Sequence, residues 1–186
     1  MNQTVNLHKE LVEACKENDA RAQMQLYDLY SSAMFTIALR YVKDSFVAED
    51  VMQDSFIKAF QNIHSFKGEV GFGAWIKRIV IHHSLDWLKR KKIQFVAMNE
   101  EVYDRELETE DWTIASDIQA DMITRAIQGL KEKYSLVLSL YLLEGYDHQE
   151  IAQVLGISEV TSRTHLMRGK KQLQELLKDR EYVEGY

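Results

Sequence analysis

The sequence predicts an all-α protein made of two small helical domains joined by an acidic linker. Proline is absent and only 8 of the 186 residues are glycine, so few residues interrupt a helix. Apolar residues recur at steps of three and four along most of the chain, and no stretch shows the strict alternation of a half-buried strand. We therefore predict a helical bundle at 1–93, a linker at 94–115 and a four-helix domain with a helix-turn-helix at 116–186.

Composition limits the class of protein. No apolar run approaches the roughly 20 residues needed to span a bilayer. The first 19 residues mix charges with apolar residues, which is unlike a signal peptide. Cys15 is the one cysteine, so no internal disulfide can form, and we interpret it as a small, half-buried helix residue. These features predict a cytoplasmic protein without membrane insertion.

The first domain is predicted to contain three or four helices. Helical spacing covers 21–42, breaks at 43–45, resumes over 46–64 and returns over 72–92. A loop that carries two glycines lies at 67–71. This order is typical of a helical bundle.

The predicted helix at 48–60 has one acidic and amide face and one apolar face. The polar face carries Glu49, Asp50, Gln53 and Asp54. The pattern fits an amphipathic helix of the bundle, and it equally fits a docking face for a protein partner.

The predicted helix at 72–92 combines aromatic and basic residues. Phe72, Trp75 and Trp87 share it with six lysine and arginine residues. This mixture suits single-stranded DNA, because bases stack on aromatic rings while cations follow the backbone. A core helix with solvated lysines is an equally good interpretation of these residues alone. His82 and His83 are adjacent rather than four residues apart, so we expect no metal site there.

The linker reverses this charge. Residues 77–92 hold six basic residues and one acidic residue, whereas residues 100–117 hold eight acidic residues and one basic residue. The net charge is −6, although a stand-alone, non-specific DNA binder is normally basic because phosphate neutralisation supplies most of its affinity. This separation of basic from acidic residues predicts that DNA contact is controlled by a further factor.

The second domain is predicted to begin with helices at 116–130 and 131–145. Asp147 and Glu150 then form the pattern of a capping box, which starts a short helix. Gly156 supplies the left-handed residue that ends this helix, and Ser158 can cap the next one. A short helix, a glycine turn and a longer amphipathic helix make a helix-turn-helix, whose second helix enters the major groove.

The second helix of this unit carries the candidate DNA contacts. Arginine can pair with guanine through two hydrogen bonds, an apolar side chain can meet a thymine methyl group, and lysine suits phosphates. The candidates are Arg163, Thr164, His165, Met167 and Arg168 for bases, and Lys170 and Lys171 for phosphates. An ordinary helical hairpin with a solvated basic face is the alternative.

Three motifs in this order resemble the sigma factors of bacterial RNA polymerase, of the small extracytoplasmic-function class that keeps regions two and four. They are "AEDVMQDSF" at 48–56, "FKGEVGFGAW" at 66–75 and "EIAQVLGIS" at 150–158. The similarity runs from about Leu26 to Leu177 and is weakest in the linker. Two positions depart from the pattern: Lys131 stands where many relatives have proline, and His82 where asparagine is frequent.

The resemblance implies a role for each surface. Residues that dock on the clamp helices of the β′ subunit would be Glu49, Asp50, Gln53 and Phe56. Residues of the loop that captures a base flipped out of the −10 element would be Phe66 and Gly68. Residues that contact this element during melting would be Trp75, Lys77, Arg78 and His82. The second helix of the helix-turn-helix would read the −35 element.

The resemblance also implies the partners. They are the RNA polymerase core, through its β′ and β subunits, promoter DNA in duplex and single-stranded form, and an anti-sigma factor. No catalytic residue, metal or cofactor is implied. The linker would thread toward the RNA exit channel, and we hypothesise that its acidic residues imitate nucleic acid in a basic channel. Unchanged promoter opening after neutralising its carboxylates would count against this hypothesis.

Two other functions compete with this interpretation. An ordinary helix-turn-helix regulator would bind duplex DNA without polymerase, as a dimer on a palindrome. It has no need of the aromatic and basic stretch at 66–92. A helical enzyme is the other alternative, but the chain has no glycine-rich phosphate loop, metal-ligand spacing or nucleophile motif.

Overall fold

The computed structural model describes the backbone of residues 2–95 and 120–184, and side chains over 8–91 and 121–178. All regular structure in these ranges is helical, which confirms the all-α prediction. The chain forms two compact units, Met1–Ala97 and Met98–Tyr186, as expected for two domains. The linker predicted at 94–115 lies outside the described residues, except that positions 94 and 95 belong to the helix before it.

Unit one contains four α-helices. They are α1 (Asn2–Lys16), α2 (Ala20–Val42), α3 (Ser45–Gln61) and α4 (Phe72–Phe95), with a 3₁₀ turn at Ile63–Ser65. The break predicted at 43–45 is confirmed: Lys43 adopts a left-handed φ of 57°, and the Asp44 carboxylate accepts hydrogen bonds from the first amides of α3. The central helix α2 packs against the other three, and the core between them includes Leu26, Ile76 and Val80.

Cys15 lies on the inner face of α1. Its side chain is fully buried, so the expectation of a half-buried residue was wrong. Burial, with the carboxylate of Asp19 as a second cause, raises the pKa of the thiol to about 11.

The described residues of unit two, 120–184, also form four α-helices. They are α5 (Ala120–Gly129), α6 (Glu132–Leu138), α7 (His148–Leu155) and α8 (Glu159–Glu184). The helix predicted at 131–145 is confirmed over 132–143, where α6 changes at Ser139 into a π-helical turn that ends at Leu143. Lys131 precedes α6 with φ −54°, close to the angle that proline fixes, so its backbone has a conformation that proline could also adopt.

A glycine lets α8 cross α6 closely. A Cβ atom at Gly169 would overlap the buried side chain of Leu138 and lie 3.2 Å from the Cβ of Tyr134. Any side chain at position 169 would push the two helices apart. The crossing therefore fixes the position of α8 on the rest of the unit.

Candidate nucleic-acid and protein interfaces

Local hydrogen bonds build the helix-turn-helix as the sequence predicts. The amide of Glu150 donates to the Asp147 carboxylate at 2.7 Å, and the amide of Asp147 donates to the Glu150 carboxylate at 3.1 Å, which completes the capping box. Gly156 ends α7 with a φ of 70°. The hydroxyl of Ser158 accepts from the amide of Thr161 at 3.0 Å and caps α8. These three predictions are confirmed.

A histidine joins the two helices of this motif. His148, the first residue of α7, has its Nδ1 atom 2.9 Å from the hydroxyl oxygen of Ser162, which is fully buried on α8. The ring of Tyr141 stacks on His148 with 5.0 Å between centroids, and the Lys170 ammonium lies 5.9 Å from the Tyr141 ring. These contacts hold α7 against α8, and they were not predicted from the sequence.

The exposed face of α8 begins in its first turn. Val160 is 62% exposed and Arg163 is also exposed, whereas Ser162 and Leu166 face the interior of the unit. The Arg163 guanidinium lies 3.1 Å from the carboxylate of Glu159, one turn earlier. The N-terminal part of a recognition helix contacts base edges. Val160 was not among the predicted contacts, although an apolar residue there can meet a thymine methyl group.

The other predicted DNA contacts on α8 lie on or beside this face. Lys171 is exposed, and half-buried positions hold Thr164, Met167, Arg168 and Lys170. The ring of His165 meets the ring of Tyr134 on α6 edge to face, with 5.6 Å between centroids. His165 is half-buried like its neighbours and also packs on Tyr134, and its role as a base contact stays a prediction.

The pH dependence of stability tests the contact made by His148. Burial, with Arg163 as the second cause, lowers the pKa of its imidazole below the ordinary value of 6.5. Below about pH 6.5, His148 therefore binds more protons in the unfolded chain than in the folded chain. Its contribution to the free energy of unfolding is fully present above that pH and decreases as the pH falls. We expect the His148→Asn variant to lose less stability between pH 7.5 and pH 5.5 than the unaltered chain. Urea unfolding followed by circular dichroism measures both differences.

His83 sets the control for this experiment. Burial, with Lys58 as the second cause, lowers the pKa of His83 in unit one. The His83→Asn variant should remove a separate part of the pH dependence of stability, since the two histidines lie in different units. An unchanged pH dependence in His148→Asn would contradict the assignment.

Three of the aromatic residues predicted to meet single-stranded DNA, Phe66, Phe72 and Trp75, form one cluster. The ring of Phe66 lies 5.3 Å from that of Trp75 and 6.0 Å from that of Phe72, centroid to centroid. Phe72 is buried, whereas Phe66 and Trp75 are half-buried. Gly68, in the following loop, has a left-handed φ of 75°. The core interpretation thus holds for Phe72, while Phe66 and Trp75 reach the surface beside the loop.

The outer face of α4 presents basic side chains. Arg78 and His82 are exposed one turn apart, and Lys77 is half-buried beside them. The neighbouring His83 turns inward, with its Nδ1 atom 3.2 Å from the hydroxyl oxygen of Ser55. Among the described residues, no three His, Cys, Asp or Glu side chains are grouped so that they could hold a metal ion.

The polar face of α3 is largely as predicted. Glu49, Asp50 and Gln53 are exposed, and the Gln53 amide donates to the Glu49 carboxylate at 3.4 Å. Phe56 is only 2% exposed and packs on Tyr27, so its prediction as a direct contact is corrected. Phe56 faces inward because α2 packs against that side of α3.

Two apolar side chains on α3 were missed. Phe46 is 82% exposed and Ile57 is 54% exposed, at either end of the acidic and amide patch. Ile57 borders a groove of about 450 Å³ between α2 and α3, where Phe56 forms part of the lining. We define the docking face as Phe46, Glu49, Asp50, Gln53 and Ile57.

Nowhere in the described parts of the chain is a helix both long enough and apolar enough to cross a membrane.

Two family models match the chain, one in each unit. The model described as Sigma-70 region 2 matches residues 26–93, and the model described as Sigma-70, region 4 matches residues 120–173. Together they match about two thirds of the sequence.

Complete proteins match over most of their length. The ECF RNA polymerase sigma factor SigW of Bacillus subtilis is 28% identical, over 92% of this chain and 97% of that protein. The ECF RNA polymerase sigma-E factor of Haemophilus influenzae is 27% identical, over 88% and 92%. In the structure of CnrH with the cytosolic domain of CnrY, one chain matches 92% of this fold with a TM-score of 0.51 at 20% identity, over 97% of its own length.

Proposed function

This chain belongs to the extracytoplasmic-function sigma factors of bacterial RNA polymerase, with their regions two and four, and from that premise we propose which of its surfaces serve each step of initiation. As a sigma factor, the chain directs promoter recognition and transcription initiation. We assign region two to residues 1–93 and region four to residues 116–186, with the acidic segment 94–115 as the linker.

The −35 element is read by α8 in the major groove. The exposed first turns of α8 offer Arg163 for guanine and Val160 and Met167 for thymine methyl groups. Lys170 and Lys171 lie further along the helix, where they suit phosphates. The contact between His148 and Ser162 supports this proposal, because it holds α8 in a fixed position on the rest of the motif.

The −10 element is melted on the surface around α4. Phe66 and Trp75 reach the surface beside the loop that contains Gly68, where unpaired bases can stack. Lys77, Arg78 and His82 follow on the same helix and suit the displaced strand. The energy for unstacking comes from binding, so the chain itself performs no covalent chemistry.

The docking face binds the clamp helices of the β′ subunit, and unit two contacts the β subunit. Exposed carboxylates between two exposed apolar side chains fit a partner surface that is both basic and apolar. The net charge of −6 supports this arrangement, because the polymerase core then supplies much of the DNA affinity. The chain works in the cytoplasm with the polymerase, and an anti-sigma factor occludes it there.

The observation that carries this proposal is that the two surfaces assigned here to DNA lie in two separate compact units. The test is to mix the purified chain with core RNA polymerase and transcribe a pool of the host's own promoter fragments. We expect a one-to-one complex that initiates at a distinct set of promoters. A chain that ignores the core enzyme but shifts duplex DNA alone would instead be an ordinary helix-turn-helix regulator.

A further inference from the structure

A cleft in unit one lies between α1 and the loop at 66–71. Its volume is about 490 Å³, and α1 forms one wall with His8, Val12 and Lys16 among its residues. The family match for region two begins only at residue 26, after α1 has ended at Lys16. The role of α1 is therefore not explained by that match.

The chemistry of the cleft suits one unpaired nucleobase. Tyr30, Phe66 and Phe72 give it aromatic walls, and the ring of Tyr30 lies 5.4 Å from that of Phe72. Lys9 and Lys67 line it from opposite sides, one on α1 and one on the loop. Lys16 lines it in an ion pair with Glu13, and Glu69 adds a second carboxylate. Aromatic walls favour stacking of a base, and a lining with three lysines against two carboxylates suits its flanking phosphates.

His8 is the residue of α1 best placed to read the edge of such a base. Its Nδ1 atom lies 2.9 Å from the hydroxyl oxygen of Tyr30, and the two rings meet edge to face at 5.6 Å. The Tyr30 hydroxyl can donate to Nδ1 in the His8 tautomer that carries its proton on Nε2. In that tautomer Nε2 is the ring atom that can donate to a ligand.

Gly73 leaves room for the Tyr30 ring on its other side. A Cβ atom at Gly73 would lie 2.7 Å from Cε1 of Tyr30, closer than side chains tolerate. Glycine at the start of α4 thus lets the Tyr30 ring lie close against that helix. The orientation of His8 follows from this packing.

We propose that α1 forms one wall of the pocket for the base extruded from the −10 element, and that His8, positioned by Tyr30, determines which base is accepted. This inference rests on the proposed function, because promoter melting supplies the extruded base. It adds a specificity residue from outside the matched region to the loop that carries Phe66 and Gly68.

The experiment uses holoenzyme assembled from core polymerase and the full chain. Promoters opened by the unaltered holoenzyme are first selected from a library with a randomised −10 region. Within a selected promoter, 2-aminopurine is placed at each non-template position in turn, and an increase in fluorescence identifies the extruded base. Opening rates are then compared for all four bases at that position, with His8→Ala, Tyr30→Phe and the control Glu10→Ala. Glu10 is exposed on the same helix and does not line the cleft.

We expect His8→Ala to reduce discrimination at the extruded position by about three- to tenfold, as befits one hydrogen bond. Tyr30→Phe, which keeps the ring, should reduce it less, and His8→Gln should restore part of it. Preference at the neighbouring −10 positions and affinity for the core should not change. Full discrimination in His8→Ala would overturn this inference and leave the proposed function intact. Failure of the unaltered chain to open any promoter would overturn both.

Discussion

Reversing the charges of Glu49 and Asp50 to arginine is expected to weaken binding to core polymerase by about 100-fold or more. Both side chains are exposed at the centre of the docking face, so the change places two positive charges where the proposed partner is basic. Like charges brought together at an interface cost several kcal/mol, and about 1.4 kcal/mol corresponds to a factor of ten in affinity. Titration of labelled chain with core enzyme measures the effect.

A matched variant separates a local effect from a change in net charge. Glu10 and Glu17 are exposed in unit one and lie outside the docking face. Their double replacement by arginine changes the net charge by the same amount. We expect it to bind core polymerase nearly as well as the unaltered chain. If the two double variants bound equally, the docking face would lie elsewhere.

Replacing Arg163 by alanine is expected to weaken binding to the −35 element by roughly 5- to 100-fold, since a bidentate contact to a base contributes about 1–3 kcal/mol. Arg163→Lys should lose most of this, because lysine keeps the charge but not the planar pair of donors. The ion pair with Glu159 does not compete strongly, because both side chains are largely exposed and such pairs contribute little. Holoenzyme binding to fragments with single substitutions in the −35 element measures the loss.

The signature of base reading is selective loss. Arg163→Lys should flatten the preference at one base pair and leave the salt dependence of binding nearly unchanged, since the phosphate contacts remain. Arg125, exposed on α5 in the same unit, provides the matched control as Arg125→Lys. If Arg163→Lys weakened binding to every fragment equally, Arg163 would instead contact the phosphate backbone.

Features whose determinants lie close together in the sequence could be predicted. The capping box of Asp147 and Glu150 and the left-handed turn at Gly156 each depend on a few neighbouring residues, and both are present in the structure. The same holds for the break before α3, where Asp44 caps the helix. Residue types that favour one local conformation were sufficient here.

Features set by contacts between helices could not be predicted. Phe56 and Ile57 are adjacent and both apolar, and only the packing of α2 on α3 decides that the first is buried and the second exposed. His148 and Ser162 are 14 residues apart, and nothing in their spacing indicates a hydrogen bond. The rotation of His165 toward Tyr134 likewise depends on where α8 crosses α6.

The buried thiol of Cys15 has a practical consequence for studying assembly. Thiol reagents attack the thiolate, which is scarce at neutral pH when the pKa is about 11, and the folded helix shields the sulfur as well. Because this is the chain's one cysteine, alkylation requires unit one to open and ignores opening of unit two. A ligand that binds only the folded unit makes opening rarer. The rate of alkylation would therefore record the polymerase docking proposed for unit one, with no label introduced into the protein.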